Sequence, residues 1–98
     1  MAGSRKRFGA LKQATNRNIE NLPDDPGVYG LFSKAGTLMY AGKAKRFRAD
    51  DRVMEHKDEG RIPFKKVGFI PATSQEAALK LEKQIIKSRK PRFNKSGK

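Results

Sequence analysis

The sequence predicts a small α+β domain: a three-stranded antiparallel sheet flanked by helices, with a β-β-α-β-α core. Three observations predict it. Two short apolar runs, Val28–Phe32 and Thr37–Ala41, flank a turn segment that contains Gly36. Two later stretches carry helix start and stop signals around helical periodicity. The length, 98 residues, holds one domain and a thin core.

The elements follow in order. Residues 1–21 form a basic N-terminal arm, with Met1–Lys6 expected to be disordered and a weak helical pattern from about Leu11 to Ile19. The Pro- and Asp-rich segment from Leu22 to Gly27 is a turn cluster that opens the main domain, residues 22–98. Val28–Phe32 reads as a strand, Ser33–Gly36 as a hairpin turn with Gly36 available for positive φ, and Thr37–Ala41 as the second strand, ended by Gly42. Asp50 and Asp51 offer N-cap carboxylates to a helix that runs to about Glu59, where Gly60 stops it. Phe64–Ile70, followed by Pro71, reads as a third strand that Gly68 weakens. Thr73 with Glu76 three residues on is a capping box for a last helix, and Pro91 ends that helix near Ser88.

The charge balance points to a polyanion. There are 23 Lys and Arg against 10 Asp and Glu, a net charge of +13. The excess is spread along the chain, with dense clusters at Lys43, Lys45, Arg46 and Arg48, and at Lys87, Arg89, Lys90, Arg92 and Lys95. Nucleic acid is the commonest partner for such a field, and binding to it should weaken steeply with salt. A solvated basic surface is the plain competitor. No basic stretch has a strong apolar face, which argues against an anionic membrane, and no apolar run approaches the roughly 18 residues of a membrane span. The expected location is the cytoplasm, at the nucleoid in a bacterium.

The chain has no cysteine and one histidine, His56. Disulfides, thiolate chemistry and polyhistidine metal sites are excluded.

One residue stands out on the last helix. Its apolar residues are Ala77, Ala78, Leu81, Ile85 and Ile86. At about 100° per residue, Glu82 falls between Ala78 and Ile86, on the apolar side. A carboxylate leaving water costs several kcal/mol unless it is paired or binds a metal. An ion pair with an Arg and a divalent-metal ligand are both consistent with that position.

These motifs resemble the GIY-YIG nuclease superfamily, and within it the bacterial excision-repair branch. The first signature stands here as Gly27-Val28-Tyr29, preceded by Leu22-Pro23 and Pro26. The second stands as Tyr40-Ala41-Gly42, followed by Lys43 and Lys45 on the next strand. Thr73 to Glu82 resembles the family's glutamate helix, and Pro91-Arg92-Phe93-Asn94 its closing motif. The likeness covers about residues 22–95.

The resemblance implies a metal-dependent DNA endonuclease that hydrolyses phosphodiesters in line with one divalent ion, Mg²⁺ or Mn²⁺. Glu82 would hold the metal. Tyr29 and Tyr40 would face the site, with Tyr29 activating or positioning water. Gly42 would allow close backbone approach, Lys43 would lie near the phosphate, and Asn94 would buttress the site. Lys45, Arg46, Lys87, Arg89, Lys90 and Arg92 would contact DNA.

There is a departure. The position of the family's arginine is Asp50 here, a charge reversal. Arg52 and His56 keep the family's four-residue arginine-to-histidine spacing, two residues later; Arg48 is the other candidate. Taken alone, His56 reads as a solvent-facing helical residue more readily than as a catalytic one. Loss of the arginine role would leave a catalytically impaired nucleic-acid-binding module on the same fold. A small basic ribonucleoprotein component is a third reading, but it leaves Glu82 unexplained. Phe47, Phe64 and Phe93 could stack on bases, with placement in the core the stronger expectation for each. No segment outside the arm is left to select DNA. Specificity is therefore expected to be low, to depend on DNA structure, or to come from a homodimer or a separate targeting protein.

Overall fold

The computed structural model describes residues 8–94. Met1–Lys6 and Lys95 lie outside the described residues. The elements are β1 (Lys12–Gln13), α1 (Asn16–Glu20), β2 (Gly27–Phe32), β3 (Leu38–Ala44), α2 (Ala49–Glu59), β4 (Lys66–Pro71) and α3 (Gln75–Arg89), followed by a 3-10 turn over Arg92–Asn94. The sheet order is β1-β4-β2-β3, with every pair antiparallel.

The β-β-α-β-α core is as expected, and the arm adds a fourth, two-residue strand to the three-stranded sheet. Lys12 and Gln13 pair with Val67 and Lys66 of β4. The weak helical pattern condenses into the short α1, whose N-cap Thr15 accepts from the Asn18 amide at 3.2 Å. Two contacts explain the outcome. Phe8 packs edge-on to Phe32, with ring centroids 5.2 Å apart. Gly68 leaves room for Leu11 and Phe8, since a Cβ there would come within 2.9 Å of Leu11. The arm thus covers the edge of β4, which would otherwise present unpaired backbone groups.

β2 is central and buried along its whole length. Its side chains alternate between two cores, which is why its sequence shows no polar alternation. Tyr29 and Leu31 join Ile19, Val53, Phe64 and Val67 under α1 and α2. Val28 and Phe32 join Leu38, Ala41, Ile70 and Ile85 under α3. Lys57 of α2 ties the arm down, donating to the Ala14 carbonyl at 3.1 Å and to Asn16 Oδ1 at 2.7 Å.

Several boundaries move for local reasons. β3 runs on through Gly42 to Ala44 because β2 pairs with it over that length. β4 begins at Lys66, and Phe64 turns into the core ahead of it. α2 starts behind Arg48 with no side-chain cap. Asp50 and Asp51 sit inside its first turn, where their charge meets the positive end of the helix dipole. Gly60 ends α2 in the left-handed region, φ 73°, with its N–H bonded to the His56 carbonyl. Ser74, not Thr73, caps α3, its Oγ accepting from the Ala77 amide at 3.1 Å; this puts Glu76 one position too early for a reciprocal box. α3 ends at Arg89, one residue past the expected stop, and Lys90 closes it at φ 47°. Among the described residues no helix is long and apolar enough to cross a membrane.

Candidate active site

The two tyrosines of the signatures meet on one face of the β2–β3 hairpin. Tyr29 is paired with Gly42 and Leu31 with Tyr40, so both phenols project toward α2. Their ring centroids are 6.1 Å apart. Tyr29 is 0% exposed. Its phenol fills the space that the missing side chain of Gly42 leaves: a Cβ there would sit 2.5 Å from the Tyr29 hydroxyl oxygen. The glycine makes room for a tyrosine of its own sheet, and it also lines the cleft beside that tyrosine. Gly27 is tight for a related reason, as a Cβ would strike the Ile70 carbonyl and the Phe69 ring across the sheet.

α2 brings the polar partners. His56 stacks obliquely near Tyr40, 4.7 Å between centroids, and its Nε2 lies 3.0 Å from the Tyr29 hydroxyl. Its side chain is only 12% exposed, so the solvent-facing expectation is overturned. One turn earlier, the Arg52 guanidinium lies beside the same hydroxyl. Burial pushes the Tyr29 phenol well above its usual range, the neighbouring Tyr40 adds to this, and Arg52 pulls the other way. Burial also lowers His56, against a smaller upward pull from Glu59. Contact with the phenol holds Arg52 still more firmly protonated.

A cleft of about 400 Å³ opens beside these groups. Its polar lining is Tyr29, Tyr40, Lys43, Lys45, Arg48, Arg52 and Glu82, with Gly42 and Ala44 between them on β3. Both candidate arginines therefore reach the cleft. Arg48 is also ion-paired to Asp51 at 3.6 Å. Asp50 is not on the lining; its carboxylate accepts from the next amide, that of Asp51, at 2.9 Å. The two-residue displacement of the arginine is thus accommodated in the first turns of α2.

Glu82 reaches the cleft from the opposite layer. α3 packs on the far face of the sheet, and Glu82 extends past the outer edge of β3, where Oε2 accepts from the Lys43 amide at 3.1 Å. It is half-buried. Among the described residues no cation lies within 4.0 Å of it, so none of them supplies the internal ion pair. A hard carboxylate, held by one backbone N–H on the wall of an open cleft, fits a divalent ion of the Mg²⁺ type, which needs only one or two protein carboxylates.

Two positions along the same edge, Asn94 completes β3. Its Oδ1 accepts from the Ala41 amide at 2.7 Å and its Nδ2 donates to the Ala41 carbonyl at 2.9 Å. One side-chain amide thus stands in for a neighbouring strand. Of the remaining basic residues, Arg46 lies over the Phe47 ring, 5.7 Å to the centroid. Lys87, Arg89, Lys90 and Arg92 are exposed at the end of α3 and beyond, off the cleft lining. Of the three phenylalanines, Phe64 is in the core and Phe93 packs against it, but Phe47 is 62% exposed. The sequence signal for that exposure was its place inside the run Lys45-Arg46-Phe47-Arg48.

A sequence profile described as the UvrC-like GIY-YIG domain matches residues 25–95. UvrABC system protein C of Maricaulis maris is 36% identical over 85 residues, covering 78% of this chain and 13% of the relative. The same protein of Chlorobaculum tepidum is 37% identical over 93 residues, covering 85% of this chain and 14% of the relative. The chain therefore spans about one-seventh of the length of these curated relatives. Among solved structures, the GIY-YIG N-terminal endonuclease domain of UvrC from Thermotoga maritima bound to magnesium, its catalytic divalent cation, superposes with a TM-score of 0.67 at 26% identity, covering 86% of this chain and 100% of that one. An asparagine-to-alanine point mutant of that domain, also bound to its divalent cation, gives 0.70 at 25% identity, with coverage of 87% and 100%. By profile, sequence and structure alike, the chain belongs to the UvrC-like GIY-YIG domain family.

Proposed function

We propose that this chain is a metal-dependent DNA endonuclease that hydrolyses phosphodiester bonds with one divalent ion, Mg²⁺ or Mn²⁺. The observation that carries the reading is the single carboxylate, Glu82, on the wall of a cleft whose other polar lining is four cations and two tyrosines. Glu82 would hold the ion, which would neutralise charge on the phosphate and polarise a phosphoryl oxygen. The chain's own residues supply the rest. Lys43, Lys45 and Arg48 attract and orient the backbone phosphate. Arg52 stabilises the charge that builds on the phosphorane oxygens.

Tyr29 acts as a relay, not as a pre-formed phenolate, because burial holds its proton on. As the phenolic oxygen takes a proton from the attacking water, the hydroxyl passes its own to His56 Nε2 at 3.0 Å. His56 is suited to this because burial favours its neutral form. Tyr40 packs against both rings and fixes their orientation. The impaired-module alternative rested on Asp50, and Arg52 beside Tyr29 supports the active reading over it. Selection of the DNA falls to its structure, to a second copy, or to a separate targeting protein.

The test incubates the chain with supercoiled and branched DNA in Mg²⁺, in Mn²⁺ and in EDTA, beside Glu82→Ala. Metal-dependent cleavage that disappears in the variant is the expected result. Equal cleavage by Glu82→Ala sinks the site, and binding without cleavage on any substrate restores the impaired module.

A further inference from the structure

We infer that Phe47 is a base-stacking residue that directs the cleft to DNA with an unpaired or unstacked nucleobase beside the scissile phosphate. The inference rests on the nuclease reading and deepens it by naming the substrate class.

Phe47 is the one large apolar side chain that is exposed among the described residues, at 62%. Its backbone is left-handed, φ 66°, a region in which a bulky residue is strained and glycine or asparagine is favoured. The strain is held in place from outside. The Phe47 amide donates to the Asp24 carbonyl at 2.7 Å, and the Arg48 amide donates to the Lys45 carbonyl at 3.0 Å, closing a turn whose tip is Arg46-Phe47. Nothing in core packing requires this conformation, since the ring faces water. Strained backbone that persists under such constraint is a mark of functional sites.

The surroundings select the ligand. The residues before and after the tip, Lys45 and Arg48, line the cleft, so the ring stands at its rim. The Arg46 guanidinium lies over the ring. An aromatic face amid cations that track a phosphate backbone is the arrangement by which proteins hold single-stranded nucleic acid. A protein partner is a poorer fit, because the only apolar element is one ring within a strongly basic loop. In continuous duplex the faces of the bases are covered by their neighbours. A gap, flap or mismatch uncovers one, so the ring favours DNA in which the stack is broken.

The chain has no tryptophan, so Phe47→Trp places a single indole reporter at the tip. Binding is measured in EDTA, so that cleavage plays no part, on continuous duplex and on the same duplex carrying a two-nucleotide gap. The expected results are quenching of the indole by gapped DNA only, and a tighter Kd for gapped than for continuous duplex in the parent chain. Phe47→Ala should lose about tenfold in that preference while keeping its affinity for continuous duplex. Equal Kd values for the two DNAs in the parent, or a preference that Phe47→Ala retains, overturns the stacking role and leaves the nuclease reading intact. Failure of the parent chain to bind either DNA overturns both.

Discussion

The Tyr29 hydroxyl donates to His56 Nε2 across 3.0 Å, linking the central strand of the sheet to the helix behind it. The direction follows from the other ring nitrogen. Nδ1 faces the Glu59 carboxylate at 4.0 Å, which favours the proton on that side and leaves Nε2 as the acceptor. Tyr29 is thus held as a donor, and its proton has somewhere to go.

This arrangement fixes a pH dependence. Burial lowers His56 below its ordinary 6.5. The relay needs the neutral imidazole, so cleavage should hold at pH 6.5 and fall only below it. The stability linkage has the same sign. Below pH 6.5 the unfolded chain takes up the proton before the folded chain does, so stability drops as pH falls through the folded value. Melting temperatures at pH 7.5 and 5.5 should differ less for His56→Gln, which cannot titrate, than for the parent. An equal difference removes His56 as the titrating group.

Arg52→Ala should cost at least about tenfold in cleavage rate, and Arg48→Ala less, because of the two it is Arg52 that pulls on the Tyr29 phenol. Arg52 on α2 and Arg48 just before it are surface residues, their side chains 48% and 53% exposed, so neither change should lower the melting temperature by more than a few degrees. Single-turnover rates on one nicked substrate make the comparison. A larger loss at Arg48 reverses the assignment.

Asn94 and Ala41 give a prediction about stability rather than chemistry. Asn94→Ala removes both partners from the Ala41 backbone at the outer edge of β3. The expected cost is about 1–3 kcal/mol, read from urea unfolding, with cleavage reduced because Glu82 docks on the same edge two residues away. Asn94→Asp keeps the acceptor for the Ala41 amide but sets a carboxylate oxygen against the Ala41 carbonyl, so it should be at least as costly as Asn94→Ala. Gly42→Ala should be at least as damaging, since the added methyl overlaps the Tyr29 phenol.

The legible part of the fold was the part written in local rules. The hairpin, the Gly60 stop and the helical spacing around Glu82 need only neighbouring residues, and each stands in the structure. Family motifs carried Tyr29, Tyr40 and Glu82 to one cleft, which no periodicity could have done. What local rules could not supply were long-range pairings. The strand at Lys12–Gln13 exists because β4, at Lys66–Val67 far along the chain, had an open edge, and the helical pattern yielded to it. His56 reads as a surface residue on its helix until the sheet is laid beneath it. Hydrophobicity favours the core for Phe47, and a turn anchored on Asp24 holds it out.

That turn yields the last prediction, in which stability and function move in opposite directions. At φ 66° a phenylalanine carries left-handed strain that glycine does not. Because the ring is exposed, Phe47→Gly forfeits little packing, and relief of about 1 kcal/mol should outweigh the added freedom of the unfolded chain. The net gain, about 0.5 kcal/mol, should raise the melting temperature by roughly 2 °C for a domain of this size. Preference for gapped DNA should fall at the same time, as for Phe47→Ala. A residue kept for stability would show the reverse, with Phe47→Gly less stable than the parent. A lower melting temperature for Phe47→Gly would mean that the ring stabilises the loop, and strain would no longer argue for its role in recognition.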